Sequence, residues 1–373
     1  MISQSLNSKA TYGQKMLVEP SSTKLSSEEA DILSELQPAG VMFRARNFNL
    51  RAPYSEWLGE YRELVADIRK AIGRLELLLT IDHEGGRVIR PPRPITRFPY
   101  AQKYADEVVH VTTAMALELK SLGINMSFSP VADIDEGCPV IRQRAFSHDP
   151  QIVKKAALQC AQTLKAHGIL PVPKHFPGHG AVKEDSHFAL PILSRSLAEL
   201  MQNELLPFQA LIDQGISALM TAHLMVPALD GEYPATISTP ILVDLLRKQM
   251  KFQGVIIADA LGMAAISDRL QGGSLTAAGL AASLDLFMLV GDSVSMRDAQ
   301  KLAQEMQACV ANSTVEPQAI TDSLARIAHL LSEAKQFEVQ ALPDTQFATH
   351  QSLAQRLDPS NEWTQFQYIP KGF

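Results

Sequence analysis

The stretch Gly168–Pro191, GILPVPKHFPGHGAVKEDSHFALP, joins two kinds of chain. Its first half is short, apolar and bounded by Gly168, which suits a buried parallel strand. Its second half has no apolar period. Pro177, Gly178 and Gly180 break any helix there, while Lys174, His175, His179, Asp185 and His187 crowd polar chemistry just past the strand.

The same change from apolar run to polar end recurs along the chain. The runs are 15–19, 39–45, 75–82, 124–133, 168–176, 216–224, 254–260 and 284–292. Amphipathic stretches separate them. SSEEADILSEL opens on Ser26 with Glu29 three residues on, a capping-box pattern, and the longer helical stretches run toward Gly73, Gly123, Gly168 and Gly215, which suit helix ends. Strand and helix alternating eight times predict an α/β fold, a single-domain (β/α)8 TIM barrel. A doubly wound open sheet is the alternative, and no GxGxxG follows any run. The barrel is placed at 15–340, after an N-terminal extension at 1–14. The polar segment 341–373 is a tail packing on, or trailing from, the barrel.

Composition narrows the function. With 373 residues, 46% of them hydrophobic, the chain can bury a large core. A net charge of -6 without a basic stripe argues against a nucleic-acid partner. No run of about 18 apolar residues exists to span a membrane. Cys138, Cys160 and Cys309 lack CxxC spacing and read as reduced thiols, and the N-terminus shows no signal-peptide core, so a cytoplasmic location is expected.

In a barrel, function sits where strands end. Polar groups at those ends are Asp82, Asp133, Lys174 with His175, His223, Asp259 and Asp292. Any one Asp there has a plain alternative as the N-cap of the next helix. Asp259 follows four apolar residues, as an N-cap or as a nucleophile. Asp185, two before His187, has the reach to orient its imidazole and favour the charged form, which makes His187 a candidate general acid/base. His175 and His179 have helical zinc spacing, but Pro177 and Gly178 forbid the helix and Lys174 repels a cation, so no metal and no cofactor is expected. Asp82, Arg87 and Arg90, with Arg142 and Arg144 after the fourth run, add acids and guanidiniums. The profile fits a polyhydroxylated substrate, an anionic one included.

These motifs resemble the family 3 glycoside hydrolases, and within them the bacterial β-N-acetylhexosaminidases of the NagZ type. KHFPGHG followed by D-[ST]-H stands at 174–180 and 185–187. D-x-E-G-G-R-V with a following Arg stands at 82–88 and Arg90. G-x-R-S-F is similar to 143–146, S-D-D-L-[SG]-M to 258–263, and MTAHLMVPALD at 220–230 also matches. The resemblance implies Asp259 as nucleophile and His187 as acid/base, oriented by Asp185. It implies Asp82, Arg90, Arg144, Lys174 and His175 as ligands of a terminal N-acetylglucosamine. It further implies a retaining hydrolase of anhydro-muropeptides in peptidoglycan recycling, acting as a monomer on a small carbohydrate or muropeptide. The sequence departs from the pattern at Ala258 and Ala260, at His83 where a Gln is usual, and in an extra Arg44. A phosphorylase on the same scaffold, a non-catalytic sugar-binding barrel and a metal hydrolase are the rival readings.

Overall fold

A computed structural model describes residues 8–183, 190–262 and 273–367. Eight parallel strands close on themselves in chain order: β1 (Met16–Val18), β2 (Gly40–Phe43), β3 (Leu78–Ile81), β4 (Met126–Ser127), β5 (Leu170–Pro171), β6 (Ala218–Met220), β7 (Val255–Ile257) and β8 (Phe287–Leu289). Each lies inside one of the eight apolar runs. Regular ladders join β1 to β5, with Leu17 opposite Gly40, Gly40 opposite Leu78, Thr80 opposite Met126 and Met126 opposite Leu170. β6 pairs with β7 and β8 with β1. The two remaining seams are closed by hydrogen bonds outside any regular ladder. Phe176 N donates to Met220 O at 2.8 Å, and Ala258 N donates to Leu286 O at 2.9 Å. Pro171 and Pro173 have no N–H to give, which is why β5 is regular for only two residues.

Side chains alternate across the barrel wall. Leu17, Met42, Leu78, Met126, Leu170, Val172, Ala218, Met220, Val255, Ile257, Leu286 and Met288 form the inner core. Met16, Val18, Val41, Phe43, Leu79, Ile81, Leu219 and Ile256 belong to the larger layer shared with the helices. Burial on both faces explains the uninterrupted apolar runs. It also sets the site, because counting on by two from the inner residues reaches Asp82, Lys174 and Asp259.

The connecting helices include Ser27–Leu36, Tyr54–Ile72, Val108–Ser121 and Pro150–Ala166. The first carries the expected capping box, with Ser26 N donating to Glu29 Oε2 at 2.9 Å. The helix Pro317–Glu333 plugs the N-terminal mouth, sending Ile327, Leu330 and Leu331 into the inner core. Beneath them lies a buried ionic cluster. Asp285 accepts from Arg247 at 2.7 Å and from Arg326 at 2.8 Å, and Lys15 bonds Leu284 O and Ser323. Burial drives the Lys15 ammonium down to about 8, with Asp285 opposing. A further helix, Asp344–Leu357, and the segment after it pack against the flank, burying Phe347, His350 and Trp363. No helix among the described residues is long and apolar enough to cross a membrane.

Candidate active site

The C-terminal mouth is built around one lysine. Lys174, 2% exposed, points Nζ at Asp82 Oδ1 (2.8 Å) and at Glu84 Oε1 (2.6 Å). Arg90 donates to the other oxygen of Asp82 at 3.1 Å. Arg144 grips Glu84 with a two-pronged fork, Nε to Oε2 at 2.8 Å and Nη2 to Oε1 at 2.9 Å. Three cations therefore face two carboxylates. Burial alone pushes Asp82 up, but Lys174 and Arg90 overcome it and hold the carboxyl far below the usual range. Burial likewise opposes ionisation of Glu84, and Arg144 with Lys174 outweighs it, holding the group near about 2. Lys174 stays charged for the reciprocal reason: burial lowers it, Asp82 and Glu84 more than compensate, and its pKa is raised.

Glu84 reaches this position on a two-stranded ribbon, His83–Gly85 against Val88–Ile89, that follows β3. Gly86 turns the ribbon with φ +54°, and a Cβ there would lie 2.2 Å from the Tyr100 ring. Only glycine fits both the backbone and the space. His83 is buried, and no described residue bonds either ring nitrogen. Burial, with Arg97 and Arg90 close by, lowers it to about 3, so it is neutral.

A second constellation forms on Asp133, which is 1% exposed. Its Oδ2 accepts from His175 Nδ1 at 2.6 Å, and its Oδ1 accepts the backbone N–H of His179 at 2.7 Å. This fixes His175 with a proton on Nδ1 and leaves Nε2 as the variable nitrogen. Burial pushes the Asp133 carboxyl up, but His175 prevails and keeps it low. His179 sits with Nδ1 3.5 Å from Cys138 Sγ. Burial and the neighbouring His175 bring it down to about 4, against the pull of Asp133 and Asp259.

Asp259 follows β7 and is half-buried. Its Oδ1 accepts from the next amide, Ala260 N, at 2.7 Å. A helix cap would instead accept from the second or third residue on. His223 Nε2 donates to Ala260 O (3.2 Å), its Nδ1 is anchored by Thr236 Oγ1 (2.8 Å), and the ring feels the Asp259 carboxyl, as His179 does. No ion pair among the described residues involves Asp259. The carboxylates of the mouth thus divide: Asp82, Glu84 and Asp133 are spoken for, while no cation among the described residues pairs with Asp259.

The expected ligands Asp82, Arg90, Arg144 and Lys174 are brought into one ionic network, and His175 is held beside it by Asp133. Asp185 and His187 lie outside the described residues. Arg142 is not part of the network. Sequence reasoning did not assign Glu84 its bridging place, nor Glu19 at the end of β1. Glu19 bonds Gly291 N at 3.1 Å and pairs with Arg46 at 2.8 Å and Arg44 at 3.3 Å, and both arginines reach Asp292. Glu19 closes the run KMLVE, so the strand-end rule applied there would have found it.

A closed parallel barrel with convergent charged groups at the strand C-termini is the architecture of a barrel enzyme. Comparison with known proteins narrows that class. Residues 9–330 match the model of the glycosyl hydrolase family 3 N terminal domain. A beta-hexosaminidase of Chromobacterium violaceum is 39% identical over 264 residues, 67% of this chain and 71% of the relative. A beta-hexosaminidase of Pseudomonas aeruginosa is 35% identical over 299 residues, covering 78% and 87%. Among solved structures, a family 3 beta-N-acetylglucosaminidase from Paenibacillus sp. superposes with TM-score 0.81 at 28% identity, over 94% of this chain and 68% of that one. NagZ from Neisseria gonorrhoeae, in complex with N-trifluoroacetyl-D-glucosamine, gives 0.66 at 27% identity, over 86% and 98%. The chain belongs to glycosyl hydrolase family 3, and it is a glycoside hydrolase.

Proposed function

We propose that this enzyme is a retaining β-N-acetylglucosaminidase that releases a terminal N-acetylglucosamine, with anhydro-muropeptides of peptidoglycan recycling as its natural substrates. The observation that carries the reading is the division of carboxylates in one barrel mouth. Asp82 and Glu84 are neutralised by Lys174, Arg90 and Arg144, which makes a rigid set of donors and acceptors for sugar hydroxyls. Asp259 pairs with no cation among the described residues, which suits the residue read as the nucleophile.

Asp82, Arg90, Arg144, Lys174 and His175 hold the sugar ring. Each oxygen of Asp82 has given one lone pair to a cation and retains another for a hydroxyl. Asp259 attacks the anomeric carbon, and protonated His187 gives its proton to the leaving oxygen. A glycosyl-Asp259 ester forms. Neutral His187 then takes a proton from water, which attacks the same carbon and frees the sugar with its configuration retained. Asp185 orients the His187 imidazole. The state of the other acids supports His187 as the donor. Glu84 and Asp133 are both held ionised at neutral pH, so neither has a proton to give. A histidine also operates near neutrality without the upward tuning a carboxylate needs.

Release of 4-nitrophenol from its β-N-acetylglucosaminide tests the reading, run with and without phosphate and a chelator. Turnover independent of both is expected. Turnover that requires phosphate would make the enzyme a phosphorylase, loss of turnover to the chelator would make it a metal hydrolase, and sugar binding without turnover would make it a binding barrel.

A further inference from the structure

The family match ends at residue 330, yet the chain beyond it is tied to the loop that follows Arg90. That loop, 91–100, leaves the Asp82–Arg90 ribbon and lies between it and the C-terminal segment. On its outer side Asn361 Nδ2 donates to Arg97 O at 2.8 Å. Arg97, 2% exposed, returns the contact with Nη2 to Gln367 O at 2.7 Å, while its Nη1 holds Pro91 O at 2.9 Å, one residue past Arg90. Arg93 adds N to Gln367 O (3.0 Å) and Nε to Phe366 O (3.1 Å). Trp363, 5% exposed, meets Tyr100 edge-on at 5.7 Å. Tyr100 in turn packs its ring on Gly86, and Gly86 N donates to Phe98 O at 2.9 Å. The helix before the segment holds the same loop from below. His350 Nδ1 and Thr96 Oγ1 share Glu118 Oε1, at 2.7 and 2.6 Å.

We infer that residues 361–367 are a positioning strap for the sugar subsite, with Asn361 and Trp363 setting the ribbon of Asp82, Glu84 and Arg90 through Arg97 and Tyr100. The segment fixes the one wall of the mouth that stands on a ribbon and a loop, and that wall supplies Asp82, Glu84 and Arg90. Buried bonds to backbone carbonyls make the restraint stiff, and a ligand shift of about 1 Å costs on the order of 100-fold. The inference rests on the reading of these residues as the sugar subsite.

The test uses the full chain with Asn361→Ala, Trp363→Ala, Trp363→Phe and Arg90→Ala. Binding of N-acetylglucosamine by calorimetry is read beside kcat and KM on the 4-nitrophenyl glycoside. Asn361→Ala and Trp363→Ala are expected to raise KM and the sugar Kd about tenfold while kcat changes less, with Trp363→Phe near wild type. In an Arg90→Ala background Asn361→Ala is expected to add little, since both act on one contact. Coupling also runs in reverse. In the unmutated protein, saturating N-acetylglucosamine is expected to slow hydrogen exchange at the Arg93 and Gly86 amides, a readout that survives any folding failure of a variant. Wild-type sugar affinity in Asn361→Ala and Trp363→Ala, or exchange at those amides unmoved by the sugar, would overturn the strap. A wild-type protein that binds no N-acetylglucosamine would instead overturn the reading of the site.

Discussion

At the scale of single residues, Lys174 and Asp259 have opposite electrostatic situations. Lys174 is shared by two carboxylates in a buried place, so removing it leaves both uncompensated. Lys174→Ala is therefore expected to lower stability by about 3–5 kcal/mol and to raise KM, checked by denaturant melts and steady-state kinetics. Asp259 pairs with no cation among the described residues. Asp259→Ala is expected to leave stability and sugar binding near wild type while kcat falls by about 10⁴-fold or more. Loss of His187 should read differently again. With a dinitrophenyl glycoside, whose leaving group needs no acid, His187→Ala is expected to show a burst and then slow release, because only the second step still needs the imidazole. Equal slowing of good and poor leaving groups, without a burst, would move the acid/base role elsewhere.

At the scale of elements, the barrel strands were legible because each is buried on both faces and ends in a polar group. The inward positions of Asp82, Lys174 and Asp259 follow from an alternation of two along β3, β5 and β7. What the sequence could not show was pairing across elements. Nothing local says that Glu84 lies against Arg144, 60 residues on, or that Asp133 anchors His175. Those partnerships arise only when the barrel closes. The ribbon after β3 shows how tightly the wall is made. Gly86→Ala would set a methyl against the Tyr100 ring at a left-handed φ, so Glu84 and Arg90 would shift together. A rise in KM larger than the fall in kcat is expected, measured on the 4-nitrophenyl glycoside.

At the scale of the whole molecule, the two ends of the barrel divide stability from chemistry. Asp285 binds Arg247 and Arg326 beneath the core, far from Asp259. Asp285→Ala leaves buried cations uncompensated, so a drop in thermal midpoint with kcat/KM preserved in the folded fraction is expected. On the acid side of neutrality, the pH dependence of stability should begin at the top. His83 and His179 are held neutral in the fold, at about 3 and about 4, and His223 is also lowered. Below pH 6.5 the unfolded chain takes up protons that the native chain refuses, so stability falls as pH drops from there toward 3. Glu84, held near about 2, adds to the loss only below about 4.5. His83→Gln, the residue usual in the resembling family, is therefore expected to flatten the stability profile between pH 6.5 and 4.5, measured by urea melts at fixed ionic strength. The C-terminal segment was the least legible part at this scale. Its polar sequence hides that Phe347 and Trp363 find burial against surfaces formed far earlier in the chain.

The central claim is that Asp259 becomes covalently glycosylated during turnover, and peptide mass mapping after trapping with a slow fluorinated glycosyl donor addresses it most directly. Added sugar mass on the peptide containing Asp259, absent from Asp259→Ala, is the expected result. Sugar mass on another carboxylate, or products of inverted configuration with no trapped species, would contradict it.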